Sequence, residues 1–389
     1  MENIEESTVQ KPKSKRIFYL DALRALAILS VIIIHVAAST QYLVNGHSAV
    51  YPFLSSSWFL NDIMALCFRI GVVLFLMLAG ALSLGRSWEI KTFLGRRIPR
   101  IVLPFAFWGF VLSALIAAYV WFVPNGIANF SAFNLGRIEP LLSYDLIGFL
   151  TFLYNYYMAY SYTSYAYWFF WMILGTYLIM PIFDKWVANS SLNELEYFLF
   201  FWLITCIFDF TLDISFPIKL TYFVSPIGLV VLGYYLRHTE RKWLNNPYIA
   251  LLLIIAACVC EVAISATYST PDSIYKLDRY SIFTAIEVIG IWQLFRNIGK
   301  FNIHIRFFEN PKGIFRRAIS GLAKNSYGIY LVQYFMIAAM DGIVTMLGIS
   351  TKSYPLTVFL IFVLSTFVSW AVIELLSYIP GLGKAIGSK

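Results

Sequence analysis

The sequence predicts an all-α, polytopic integral membrane protein with about ten transmembrane helices and cytoplasmic N- and C-termini. Three observations carry this expectation: composition, the spacing of apolar runs, and the placement of basic residues. Of the 389 residues 60% are hydrophobic and only 13% charged, against about 25% charged in a soluble globular chain. A water-soluble fold of this length has no way to hide so much apolar surface. Aromatic residues reach 18%, and Tyr and Trp suit the interfaces where an amphipathic ring sits between lipid and water.

A hydrocarbon core about 30 Å thick takes roughly 20 apolar residues per helix. Such runs fall at 17–40, 59–84, 101–123, 165–183, 196–213, 220–236, 247–268, 279–295, 326–347 and 355–378. The stretch 124–164 mixes Asn, Gly and Ser with the aromatic run FLTFLYNYYMAYSYTSYAYW, and reads as a short interfacial or re-entrant helix.

Short cytoplasmic loops retain Lys and Arg, so these residues set the orientation. With the N-terminus inside, the outer segments hold only Arg137, Lys219, Lys276, Arg279 and Lys352. Arg24 and Arg69 fall within spans, and the remaining basic residues lie on the inner side. Residues 1–16 form a basic cytoplasmic tail, 17–378 one membrane domain, and 379–389 a cytoplasmic C-terminal tail. The first span is long and has no small-residue cleavage site, which marks it as a retained helix and not a signal peptide. The expected location is a cell membrane, plasma or inner, crossed many times.

The net charge of +8 does not point to nucleic acid, because apolar spans interrupt the basic residues and leave no continuous basic face. Cys67, Cys206, Cys258 and Cys260 lie in apolar stretches without zinc or disulfide spacing. His47, His238 and His304 lie in loops, again without ligand spacing, so no metal is expected.

The first span, RIFYLDALRALAILSVIIIHVAAS, carries Asp21, Arg24 and His35. A charge near the centre of a membrane helix costs about 2.5–3.5 kcal/mol on insertion scales, so such groups face a cavity or a partner. Asp21 and Arg24 are three residues apart and share a face. His35 lies eleven residues beyond Arg24, close to three turns or about 16 Å further along nearly the same face. Snorkelling explains the Asp21–Arg24 pair equally well, and an interhelical hydrogen bond is the plain role for His35. The chemical role for His35 is proton exchange near neutral pH.

Arg96, Arg97 and Arg100 open the third span, where guanidinium groups match phosphate oxygens and a helix N-terminus adds N–H donors. A basic loop that pairs with lipid headgroups is the alternative. Arg69 is a further buried cation. Glu261, Glu287 and Glu374 are single carboxylates in apolar helices, relays or partners for inward-facing arginines, while Asp209 and Asp213 share a face near the outer end of the fifth span.

The Arg-x10-His spacing in a first helix that opens L-D-x-L-R resembles the acyltransferase-3 family of integral membrane O-acyltransferases. RIGVVLFLMLAGALSL at 69–84 is similar to the family's second helix, with Ala79 where Ser is common, and LGRRIPRIVLP at 94–104 to its R-x-x-R stretch. YWFFWMILGTYLIMPI at 167–182, GYYL at 233–236 and SYGIYLVQ at 326–333 follow in the family's order. Two positions depart from the pattern: many relatives carry His before the W-F helix and after Y-L, where this chain has Ala166 and Gln333.

The resemblance implies an O-acyltransferase that moves an acyl group, acetyl by expectation, from cytoplasmic acetyl-CoA or another acyl-CoA to a hydroxyl of a glycan or glycolipid of the cell envelope. Arg97 and Arg100, with Arg96 and Arg69, would hold the donor. His35 would be the general base, and Arg24 would orient Asp21 or polarise the thioester carbonyl. Trp168 and Tyr330 would contact the acceptor; the role of the family histidine does not carry over to Gln333, whose amide suits a hydrogen bond to a sugar or tunnel water and an interhelical hydrogen bond equally. Direct transfer and a covalent acyl-histidine both remain open, as does a homo-oligomer. The alternative is a transporter or flippase of lipid-linked sugars, since buried Arg, His and aromatic residues also line substrate paths.

Overall fold

The computed structural model describes residues 17–43, 55–123, 138–160, 162–214, 220, 223, 226–267, 277–298, 313–349 and 354–388. Among these the ordered elements are helical, without a strand. In lipid a helix satisfies its own backbone donors and acceptors, which is why long apolar runs fold this way. The helices are α1 Phe18–Leu43, α2 Ser56–Leu66, α3 Ile70–Ser83, α4 Ile90–Phe122, α5 Leu146–Tyr157, α6 Trp168–Asn189 and α7 Leu192–Ile207. They continue with α8 Pro226–His238, α9 Pro247–Thr267, α10 Ile282–Asn297, α11 Ile314–Met346, α12 Tyr354–Ser377 and the single turn α13 Gly383–Ile386.

Among the described residues, eight stretches are long and apolar enough to cross a membrane: Phe18–Thr40, Ser56–Ser83, Ile90–Phe122, Ser164–Asn189, Leu192–Leu212, Pro247–Thr267, Ile314–Met346 and Tyr354–Ser377. The other two expected spans are helical but short, 13 residues in α8 and 16 in α10. Both lie among other helices, and α8 is buried over nearly its whole length from Ile227 to Leu236. Helices whose ends meet protein need not match the full lipid thickness.

Three of the expected spans depart most from the sequence-based bounds. The run 59–84 is broken at 67–69 into α2 and α3, with Arg69 N–H bonded to the Leu66 carbonyl. α4 begins at Ile90 and runs 33 residues, through Pro99 and Pro104. α11 also runs 33 residues and begins at Ile314, well before the apolar stretch. In the aromatic stretch, α5 is a 12-residue helix capped by Asp145, whose side chain accepts from Gly148 N–H. Backbone and side-chain bonds there hold the Asp145 carboxyl below the usual carboxylate range. Residues 124–137 lie outside the described part.

The centre of the bundle is α1 against α11 and α3, α3 against α8, and α11 against α12, while α9 pairs with α10. Glycine sets the closest approach. A Cβ on Gly80 would lie 1.8 Å from the Val230 carbonyl oxygen, and one on Gly233 2.0 Å from that of Met77. α3 and α8 therefore touch backbone to backbone, as small residues permit in membrane bundles.

The segment after α12 is not a free tail. It turns back at Gly381 (φ +83°) into α13, and Ile386 is fully buried.

Candidate active site

A cavity of about 730 Å³ opens at the end of the bundle where α1 and α4 begin, within the range of about 300–1,000 Å³ typical of small-molecule sites. Arg24, Arg96, Arg97, Arg100 and Lys384 line it, and among the described residues no carboxylate does. Its deeper wall is Phe75, Phe169, Ile173 and Tyr330. A cationic mouth over an apolar throat suits a ligand with an anionic head and an uncharged arm.

Local structure places the arginines. Asp184 of α6, fully buried, accepts from Arg86 N–H at 3.0 Å and Trp88 N–H at 2.6 Å, which fixes the connection between α3 and α4. Trp88 in turn stacks beneath Arg96, 5.5 Å from guanidinium carbon to ring centroid, and Arg97 lies 5.9 Å over Phe93. Arg96, Arg97 and Arg100 have no carboxylate partner among the described residues. They sit within α4, at least six residues from its start, so the expected free N–H donors of a helix N-terminus are not beside them. Pro99 and Pro104 instead leave the Gly95 and Arg100 carbonyls without their helical donors. Arg24 reaches the cavity from α1 while its NH1 stays 3.4 Å from Asp21 Oδ1. Asp21 does not line the cavity.

His35 lies further along α1, half-buried, with Nδ1 2.7 Å from Gln333 Nε2 of α11 and its ring 4.7 Å from that of Tyr334. The imidazole does not line the cavity. The two regions meet on α11, since Tyr330 lines the throat and Gln333 follows it by three residues, about 4.5 Å of helical rise. Tyr330 is pinned there by its hydroxyl bond to the Ala166 carbonyl and an edge contact of 5.4 Å with Phe169. Trp168, next to Phe169, is covered by Arg279, whose guanidinium carbon is 4.1 Å from the ring centroid. Arg279 is near enough to His35 to act on it electrostatically.

The remaining expected residues fall elsewhere. Arg69 does not line the cavity; it binds the Leu277 carbonyl at the α2–α3 break and acts electrostatically on Asp62 and Glu261. Glu261 accepts from Thr284 at 3.2 Å and Glu287 from Cys258 at 3.4 Å, which puts both between α9 and α10. Glu374 holds Lys324 at 3.4 Å and Asn325 at 2.5 Å. Asp209 and Asp213 belong to the π-helical end Phe208–Leu212 and its left-handed cap. Sequence reasoning did not single out Asp184, Arg279 or Lys384. Asp184 carries no signal beyond being a carboxylate near a helix end, and the other two acquire meaning only from what they approach.

The fold and the cavity define a polytopic helical membrane protein with a cavity whose lining includes Arg24, Arg96, Arg97, Arg100 and Lys384. The acyltransferase-3 family model, described as an acyltransferase domain, matches residues 17–374. The chain belongs to that family and is a membrane acyltransferase. No curated protein and no solved structure matches it.

Proposed function

We propose that the protein transfers an acyl group, acetyl in the simplest case, from acyl-CoA on the cytoplasmic side to a hydroxyl of a glycan or glycolipid at the membrane or its outer face. The observation that carries this reading is the cavity: Arg96, Arg97, Arg100 and Lys384 at its mouth, with no carboxylate partner among the described residues, and an aromatic throat whose Tyr330 lies about one helical turn from Gln333 of the Gln333–His35 pair. Arg97 and Arg100, with Arg96, hold the donor's phosphates by charge-assisted bonds. The throat between Phe75 and Phe169 takes the uncharged pantetheine arm.

At the far end His35 acts as general base. For this the free lone pair must be on Nε2, so Nδ1 carries the proton and Gln333 presents its amide oxygen to it. The O and N ends of an amide are interchangeable in shape, and the amide oxygen of Gln333 is buried with no other partner. His35 removes the acceptor's hydroxyl proton while that oxygen attacks the thioester carbonyl carbon. The C–S bond breaks, an ester forms, and the proton passes to the departing thiolate to give the free thiol. Tyr330 and Phe169 line the cavity and His35 does not, so the lining must rearrange for the thioester to reach the imidazole.

The test is acyl transfer by purified protein from labelled acetyl-CoA to extracted cell-surface glycans, with His35→Ala and Arg97→Ala beside wild type. Loss of transfer in both supports the reading; wild-type rates in both overturn it. Comparing surface glycans with and without the gene by mass spectrometry identifies the acceptor.

A further inference from the structure

The donor cavity has a wall that lies outside the family match, which ends at residue 374. After α12 the chain turns at Gly381, forms α13, and ends the turn with Gly387 in the left-handed region at φ +81°. Ser388 N–H closes on the Gly383 carbonyl at 3.0 Å, the six-to-one bond of a Schellman end. This hook is anchored on three helices. Trp108 of α4 donates Nε1–H to the Ile386 carbonyl at 3.2 Å, and Ile386 itself is fully buried. Ser388 Oγ donates to Asn325 Oδ1 at 2.8 Å on α11, and Asn325 donates onward to Glu374 of α12. Gly328 leaves room for the hook, because a Cβ there would lie 2.5 Å from the Ile386 carbonyl oxygen.

Seated in this way, the hook contributes Lys384, Gly387 and Ser388 to the same cavity as Arg24, Arg96, Arg97 and Arg100. Lys384 is exposed and has no ion-pair partner among the described residues. Among the described residues Arg24 has Asp21 beside it at 3.4 Å, while Arg96, Arg97, Arg100 and Lys384 have no carboxylate partner, and these positive charges around one opening repel one another until an anion enters. Two or three phosphate groups spaced along one ligand match cations arriving from three separate elements, α1, α4 and the hook, better than a single phosphate does.

We propose that the C-terminal hook, Gly381–Ser388, is a wall of the donor site and that Lys384 binds a phosphate of the nucleotide end of the acyl donor. The proposal rests on the acyl-CoA reading above and adds a binding residue beyond the R-x-x-R stretch. Lysine acts there as a point charge, so an arginine in its place keeps the interaction.

The experiment measures dissociation constants of the full-length protein in nanodiscs for acetyl-CoA and for S-acetyl-pantetheine, which lacks every phosphate. Wild type, Lys384→Ala and Lys384→Arg are compared. Lys384→Ala is expected to weaken acetyl-CoA about tenfold, the size of one charge-assisted bond, to leave S-acetyl-pantetheine unchanged, and to be rescued by Lys384→Arg. Equal acetyl-CoA affinity in wild type and Lys384→Ala overturns the role of the hook while the donor reading stands. Failure of wild type to bind acetyl-CoA overturns both. A second measurement does not depend on affinity: in Lys384→Cys, alkylation of residue 384, read by peptide mass spectrometry, slows when acetyl-CoA is present. An unchanged rate places the hook outside the donor site.

Discussion

Gln333 Nε2 lies 2.7 Å from His35 Nδ1, and this contact ties α11 to α1, as does the Ser39–Asp341 hydrogen bond of 3.2 Å about one turn further along α1. Its partner choice decides which imidazole nitrogen is free. Gln333→Leu is expected to lower the rate of acyl transfer at least tenfold, with donor affinity unchanged, because the ring loses its orienting hydrogen bond. Gln333→His, the residue the family resemblance leads one to expect there, retains substantial activity. Steady-state kinetics with separate kcat and donor KM decide this, and equal kcat for Gln333→Leu and wild type removes the orienting role.

Arg97 stands at the cavity with its guanidinium over Phe93 and, among the described residues, no carboxylate partner. Arg97→Ala is expected to weaken acetyl-CoA binding by about 10- to 100-fold, the range of a charge-assisted bond of about 1.5–3 kcal/mol. Arg97→Lys keeps the charge and loses the planar fork, so its affinity falls between the two. Calorimetric titration at two salt concentrations checks both order and charge dependence.

Asp184 shapes the mouth without lining it. Its two oxygens accept from Arg86 and Trp88 N–H groups, and Trp88 supports Arg96. Asp184→Ala is expected to raise donor KM several-fold and to increase amide exchange at Arg86–Trp88, since bonds to a charged acceptor each contribute about 1.5–3 kcal/mol. Asp184→Asn keeps one of the two acceptor oxygens and turns an NH2 toward the other backbone N–H, so its effect lies between wild type and Asp184→Ala. Exchange mass spectrometry across 84–90 is the measurement, and no change there refutes the assignment.

Gly80 and Gly233 face the opposing backbone across α3 and α8. Gly80→Val is expected to lower thermal stability in detergent strongly and Gly80→Ala more mildly, because overpacking a tight contact costs about 1–3 kcal/mol. Substituting Gly175, which has open space around its Cβ position, leaves the thermal midpoint within error. Fluorescence-detected size exclusion after heating separates the three variants.

Much of the fold was legible because lipid imposes a length and polarity rule on each segment separately. α9 and α12 were placed to within two residues by apolar content alone. α4 and α11 were not, because their first turns are charged and the helices extend beyond the apolar run. α8 and α10 were read as full spans, yet burial inside the bundle relaxes the length requirement. The spacing of Arg24 from His35 gave their separation along one helix. It carried no information on whether a single opening joins them, and Arg24 lines the cavity while His35 does not.

The amino-acid sequence alone determined that this chain is a bundle of membrane helices, which residues in it are too polar for lipid, and which family those residues resemble. Each of those properties is written in local hydropathy or in spacing along one helix. Only the tertiary structure decided that Arg69 belongs with Asp62 and Glu261 and not with the cationic mouth, that Gln333 meets His35, and that Lys384 returns to the cavity of Arg97. Those pairings join residues up to several hundred positions apart, and which helix faces meet depends on packing between backbones, as at Gly80 and Gly233, which no single segment specifies.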